Sequence, residues 1–173
     1  MQVIVAIAML VLGAFAHNAT AEVTDKDRYG FSLVHEAIVT ADRETAWIAA
    51  VNNVDKWWNP DHTISGDAAL LSIDARPLGC FCEATGGGVV HLQVTTVSQG
   101  VNLRMTGGLG PLGLMGVNGN MTWEFFDTDA GTKIRFSYAV GGYAPDGLDV
   151  IAEPVDQVIG EALLRLQAYI NGA

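Results

Sequence analysis

The chain has 173 residues, half of them hydrophobic, and its 9 basic against 19 acidic side chains give a formal charge of -10. That is enough for one domain with a substantial core and too little for two. The acidic balance argues against nucleic acid and anionic membrane surfaces, which are held by basic patches, and leaves a solvated acidic surface as the expectation.

The N-terminus opens on an uncharged apolar run, Val3 to Phe15. The run is too short to span a bilayer and has the length of a signal-peptide core. Ala19-Thr20-Ala21 is an A-x-A cleavage pattern, and Ala14-Phe15-Ala16 is a second. Residues 1–21 are therefore expected to be a signal peptide and residues 22–173 the exported domain, periplasmic or secreted, with no stable membrane insertion after cleavage. Export would place Cys80 and Cys82 in an oxidising compartment. A bridge between cysteines two apart closes a small, strained ring, so two small buried thiols are expected instead.

Tyr29 to Thr40 (YGFSLVHEAIVT) is rich in β-branched and aromatic residues and predicts a first strand, with His35 in it. Asp42 to Val51 predicts a short helix, its first turn carrying Asp42 and Glu44. Val54 to Trp58 adds a helical turn, which ends before Pro60. A run of strands follows: His62–Ser65, Ala69–Asp74, Cys80–Thr85, Val89–Val97, Val101–Thr106, Val117–Phe126 and Thr132–Val140. Gly66-Asp67, Pro77-Leu78-Gly79, Gly86-Gly87-Gly88 and Asp129-Ala130-Gly131 supply turns between them. Alternation places Leu103 and Met105, then Met121, Trp123 and Phe125, then Ile134, Phe136, Tyr138 and Val140 on apolar faces. Arg104, Thr122, Glu124, Lys133 and Arg135 take the other faces.

From Leu148 to Ile170 apolar residues recur every three or four positions, the pattern of a long helix with one buried face. It should start near Asp149, bend or restart at Pro154, carry Arg165 favourably near its negative end, and stop at Asn171-Gly172. A curved antiparallel sheet with one apolar face under one long helix is an α+β architecture.

The order of these elements, with Ala41-Asp42-Arg43-Glu44-Thr45-Ala46-Trp47, Asp55-Lys56-Trp57-Trp58, Pro77-Leu78-Gly79-Cys80-Phe81-Cys82-Glu83 and Gly131-Thr132-Lys133-Ile134, resembles the START-like (SRPBCC) superfamily over about residues 30 to 170. That superfamily includes polyketide cyclases, lipid-transfer domains, pollen allergens and homologues of the heat-shock ATPase activator. The helix-opening proline common in the family is Asp42 here. The resemblance implies a helix-grip fold, with two short helices after the first strand and a cavity between sheet and C-terminal helix. In the family that cavity holds a hydrophobic or amphipathic small molecule such as a lipid, polyketide or sterol.

The inward residues suit an apolar pocket. The expected cavity residues are Trp57, Trp58, Leu103 and Met105, then Leu112, Met115, Met121 and Trp123, and finally Phe136, Tyr138, Val155 and Ile159. Trp57 and Trp58 are adjacent, so at least one belongs to the core. Residues 108–113 formally match G-x-G-x-x-G, but no helix follows and Pro111 lies inside, so a dinucleotide site is not expected. The segment bearing Leu109, Leu112, Leu114 and Met115 is either an apolar lid or a strand connection folded onto the core.

Cys80, Cys82, His91 and His62 have the wrong spacing for a zinc site, and His91 falls on the strand face of Gln93 and Thr95. No metal, nucleotide or other cofactor is expected. Ser65, Ser72, Ser98 and Ser137 lack a nucleophile-elbow setting. Glu83, His91 and Tyr138 are the candidates for proton transfer if they face a dry cavity. Asn120-Met121-Thr122 matches a glycosylation sequon only formally. The leading expectation is a binding or transport protein for a hydrophobic small molecule. A cyclase- or dehydratase-like enzyme on the same fold is the alternative, and a protein-interaction module the third, whose cytosolic chaperone partner export would remove.

Overall fold

The structure, a computed structural model, describes residues 20–172. The apolar run at residues 3–15 lies outside the described residues. The strands are β1 (Thr20–Asp27), β2 (Gly30–Val39), β3 (Leu71–Ile73), β4 (Cys80–Glu83), β5 (Val89–Ser98), β6 (Asn102–Gly107), β7 (Gly116–Thr128) and β8 (Gly131–Tyr143). The helices are α1 (Arg43–Asn52), α2 (Val54–Trp57) and α3 (Asp149–Asn171). All eight strands form one antiparallel sheet in the order β1-β2-β8-β7-β6-β5-β4-β3. With α3 gripped by the sheet, this is the expected α+β helix-grip fold.

Each element follows from its side chains. In β2, Phe31, Leu33, His35, Ala37 and Val39 are buried and the residues between them half-buried, so period-2 alternation sets the face. At α1 the Asp42 carboxylate accepts from the Thr45 amide at 2.8 Å, so Asp42 starts the helix by capping it. This hydrogen bonding also holds the Asp42 carboxyl below its ordinary range.

Aromatic rings are the largest side chains in the core. Trp123 stacks on Phe136 at 4.4 Å, Trp57 lies 5.8 Å from Trp123, and Trp47 packs edge-on to Phe125 at 5.3 Å. Helix α3 closes over this layer with Ile159, Ala162, Leu163 and Leu166 buried. Each large apolar side chain among them contributes roughly 1.5–3 kcal/mol gross. Polar anchors fix the helix along the sheet. His35 Nε2 lies 2.8 Å from Asp156 Oδ1, Gln167 donates to the Ile38 carbonyl at 2.8 Å, and Asn171 accepts from the Thr40 amide at 3.1 Å.

Four expectations need correction. A strand, β1, precedes the one expected to be first, and its register includes Thr20↔Glu36 and Ala21↔His35. Cleavage before Glu22 would remove those two residues from the sheet. His62–Ser65 is not a strand: Pro60–His62 is a 3-10 turn capped by Asn59, and the amides of Ile64 and Ser65 donate to a side chain, leaving none for a sheet partner. Helix α3 does not restart at Pro154 but runs through it; the proline lies in the second turn and leaves only the Val150 carbonyl without its ladder donor. Arg165 does not serve the helix end; its Nε donates to the Trp57 carbonyl at 2.8 Å.

The cysteines depart as well. Cys80 and Cys82 are half-exposed on the outer face of β4 and are joined in a disulfide, with 5.3 Å between their Cα atoms. That separation lies inside the range a bridge accepts, so the short ring is geometrically accessible on an extended strand.

Candidate functional site

A cavity of about 360 Å³ opens between the sheet and the N-terminal half of α3. Ile151, Pro154, Val155, Val158 and Ile159 form its helix wall. Leu109, Gly110, Pro111, Leu112 and Met115 form a second wall, and Trp58, Leu71, Phe81 and His91 line the remainder. Asp61, His62, Thr63 and Ile64 border it on a further side.

The polar part of this wall rests on an irregularity in β5. Across β4 and β5, Phe81 pairs with Leu92 and Cys82 with Val90, so His91 is an extra residue with no partner opposite. Such a bulge bends the strand and re-aims a side chain. Two consecutive residues, His91 and Leu92, are buried as a result. Strict alternation had placed His91 outward with Gln93 and Thr95, and the bulge overturns that.

On β4 the inward residues are Phe81 and Glu83, and the cysteines face out. The Glu83 carboxylate has no exposed surface. It accepts from the Ile64 amide at 3.0 Å and the Ser65 amide at 2.5 Å, and its Oε2 lies 2.9 Å from His91 Nε2. Burial pushes the Glu83 carboxyl up. Hydrogen bonding from Ser65, the Ile64 amide and His91 together outweighs burial and brings it to about 2. Glu83 is therefore an ionised, fully engaged group behind His91, and it is His91 that meets the cavity.

The third candidate for proton transfer, Tyr138, is occupied elsewhere. Its hydroxyl donates to the Gly107 carbonyl at 2.9 Å and accepts from the Leu109 amide at 3.1 Å. Burial pushes its pKa up, partly offset by the Leu109 amide. Tyr138 thus fastens the glycine-rich segment. That segment makes a 3-10 turn, Gly110–Leu114, which buries Leu112 and leaves Leu114 exposed. It is a strand connection folded onto the core, and it forms a cavity wall.

Of the expected cavity residues, Trp58, Leu112, Met115, Val155 and Ile159 line the cavity. Trp57, Leu103, Met105, Met121, Trp123, Phe136 and Tyr138 lie in the solid core instead. The reason is that Trp47 of α1 packs on Phe125 and Trp57 of α2 on Trp123 and Phe136, which fills the space over β7 and β8. Trp57 and Trp58 divide as adjacency requires. Trp57 donates to the Ala49 carbonyl at 3.1 Å within the core, and Trp58 donates to the His62 carbonyl at 3.2 Å beside the cavity.

His62 pairs with Glu161 at 3.1 Å, and His35 with Asp156. Among the described residues, no three His, Cys, Asp or Glu side chains are gathered to hold a metal ion. The position of the bulge and the roles of Ile64 and Ser65 were missed from sequence. The sequence carries no local signal for the bulge, because His91 and Leu92 continue the polar and apolar alternation of Val90, Gln93 and Val94.

No protein-family model and no curated protein matches the sequence. Solved structures share the fold at low identity. Protein MLL2253 from Mesorhizobium loti is 17% identical, with a TM-score of 0.59 over 82% of this chain and 98% of its own. An uncharacterised protein from Rhizobium leguminosarum is 19% identical, with a TM-score of 0.58 over 90% of this chain and 99% of its own. Ara h 8.0201 is 14% identical, with a TM-score of 0.57 over 83% of this chain and 99% of its own. These likenesses concern the fold alone.

Proposed function

We propose that this protein is a START-like binding or transport protein for a compact hydrophobic or amphipathic molecule, held between α3 and the sheet. The observation that carries this reading is the cavity itself. At about 360 Å³ it falls at the lower end of the roughly 300–1,000 Å³ typical of ligand sites, and its walls are apolar with few polar groups. A hydrophobic body gains roughly 25 cal/mol per Å² on leaving water, so such a wall favours it without a cofactor. The apolar run at residues 3–15 and the Cys80–Cys82 disulfide support an exported protein, since disulfides persist in oxidising compartments.

Native mass spectrometry of the purified protein, followed by solvent extraction, tests the reading. A stoichiometric apolar molecule, lost in Val155→Trp where the new ring fills the cavity, is the expected result. An empty protein with no thermal shift from a panel of apolar compounds would sink it.

The Glu83–His91 pair favours a second reading, a cyclase- or dehydratase-like enzyme in which His91 moves a proton and Glu83 orients it. Recovery of a chemically altered ligand, with the alteration abolished in His91→Phe, would support catalysis. Unchanged recovery would leave binding alone.

A further inference from the structure

The polar groups around the cavity are almost all committed to partners. Thr63 Oγ1 donates to the Pro60 carbonyl at 2.8 Å, Trp58 donates to the His62 carbonyl, and His62 pairs with Glu161. Asp61 is exposed. The Glu83 carboxylate is spent on two amides and His91, and it does not reach the cavity. His91 differs. Its Nε2 faces Glu83, and Nδ1 has no hydrogen-bond partner among the described residues. Among the described residues, the fully buried side-chain polar atoms without a partner are Asn102 Oδ1 and Trp123 Nε1, and Nδ1 of His91 is not one of them. Nδ1 is therefore accessible, and the open space that its ring borders is the cavity.

A carboxylate accepts only, so the imidazole nitrogen facing it must carry a proton. In the neutral ring that fixes the tautomer: Nε2 donates to Glu83, and Nδ1 is left as a bare acceptor. The acid strength of Glu83 supports this, because a carboxyl held at about 2 stays ionised and leaves the proton on the ring.

We infer that the cavity selects apolar molecules bearing a hydroxyl, a phenol or an alcohol, whose O–H donates to Nδ1 of His91. The inference rests on the binding function proposed above and adds the polar group that the ligand carries. The hydroxyl is distinguished from an ether or a bare hydrocarbon because neither of those can donate. A ligand lacking the donor would expel water from Nδ1 without replacing its hydrogen bond.

The probes are 2-naphthol, 2-methoxynaphthalene and naphthalene, which share one ring system. Affinity for the full protein is measured by calorimetry. The expected result is about tenfold tighter binding of 2-naphthol than of the other two, the effect of one hydrogen bond. In His91→Phe the preference for 2-naphthol over 2-methoxynaphthalene and naphthalene should disappear. A wild-type measurement guards against misfolding of the variant. ¹⁵N NMR of the imidazole should show Nε2 protonated and Nδ1 not, with the Nδ1 resonance moved by 2-naphthol and unmoved by the ether. Equal binding of naphthol and ether, or a protonated Nδ1, overturns the hydroxyl preference while leaving the cavity function intact. Failure of all three probes to bind, with no thermal shift from the wider panel, overturns both.

Discussion

The ring of Tyr138 lies against Gly119 across the β7–β8 pair, where no other residue would leave it room. A methyl group on Gly119 would overlap the ring and come within 2.8 Å of the phenol oxygen. This bare position lets the hydroxyl reach Gly107 and Leu109 and so hold the cavity wall. Gly119→Ala should therefore destabilise by about 1–3 kcal/mol, the usual effect of overpacking, read as a lower urea midpoint at unchanged slope. Tyr138→Phe keeps the ring and removes the clasp. It should lower stability by about 1–3 kcal/mol and speed hydrogen exchange at the Leu109 amide, with distant β2 amides changing less.

Glu83 makes stability depend on pH at the acid end. Its folded value, about 2, lies below the ordinary 4.5, so the folded state favours the ionised form. The stabilisation is complete above the unfolded value and is lost as pH falls from about 4.5 towards about 2. At neutral pH the shift corresponds to on the order of 3 kcal/mol. Glu83→Gln should be less stable than the parent by an amount of that order at pH 7. The gap should close as both are titrated towards pH 2, and a gap independent of pH would disprove the ionised, amide-bound state.

His35 and Gly160 make a second close approach. A methyl group on Gly160 would stand 2.7 Å from Cε1 of the His35 ring. Alanine is a better helix former than glycine by roughly 1 kcal/mol, so propensity alone predicts a gain for Gly160→Ala. Contact with a buried ring tied to Asp156 predicts a loss, and the contact should win. His35→Ala made alone should also destabilise, by opening a cavity and freeing Asp156. The double variant should be more stable than the sum of the two single changes, because the clash has gone. Denaturant titration of all four proteins closes the cycle, and strict additivity would rule the contact out.

The Cys80–Cys82 bridge closes a three-residue span, and short loops restrict the unfolded chain least. Reduction should expose two titratable thiols where none react beforehand, and should lower stability by no more than about 1.5 kcal/mol. Thiol titration with and without reductant, followed by denaturation of each form, checks both.

Much of this architecture was legible in the sequence because it is repetitive. The long helix was expected from Asp149 to Ile170 and runs Asp149–Asn171, since apolar residues recurring every three or four positions over that length admit one reading. Strands β5 to β8 were expected within a few residues of where they occur, as alternation and glycine turns mark both face and end. What was not legible is what breaks a period. The bulge at His91 arises from pairing with β4, which one strand's own sequence does not encode. Ile64 and Ser65 have a strand-like composition, but a buried carboxylate claims their amides. The division of the apolar face between cavity and solid core depends on how far α1 and α2 reach over the sheet, a tertiary fact invisible to alternation.

The sheet also has two ends. Among the described residues its outermost strands are β1 and β3, and an unpaired strand edge is a template on which another chain can assemble. β3 is three residues long, too short to hold a second copy in register. β1 is longer, but its pairing slips between Val23 and Asp25, and the stretch after the slip carries Asp25, Lys26 and Asp27. A broken edge with alternating charge presents no flat ladder for fibril-type growth. A protein half of whose residues are hydrophobic thus keeps those residues from recruiting its neighbours, and the slip in β1 is as much a part of that defence as the charges beside it.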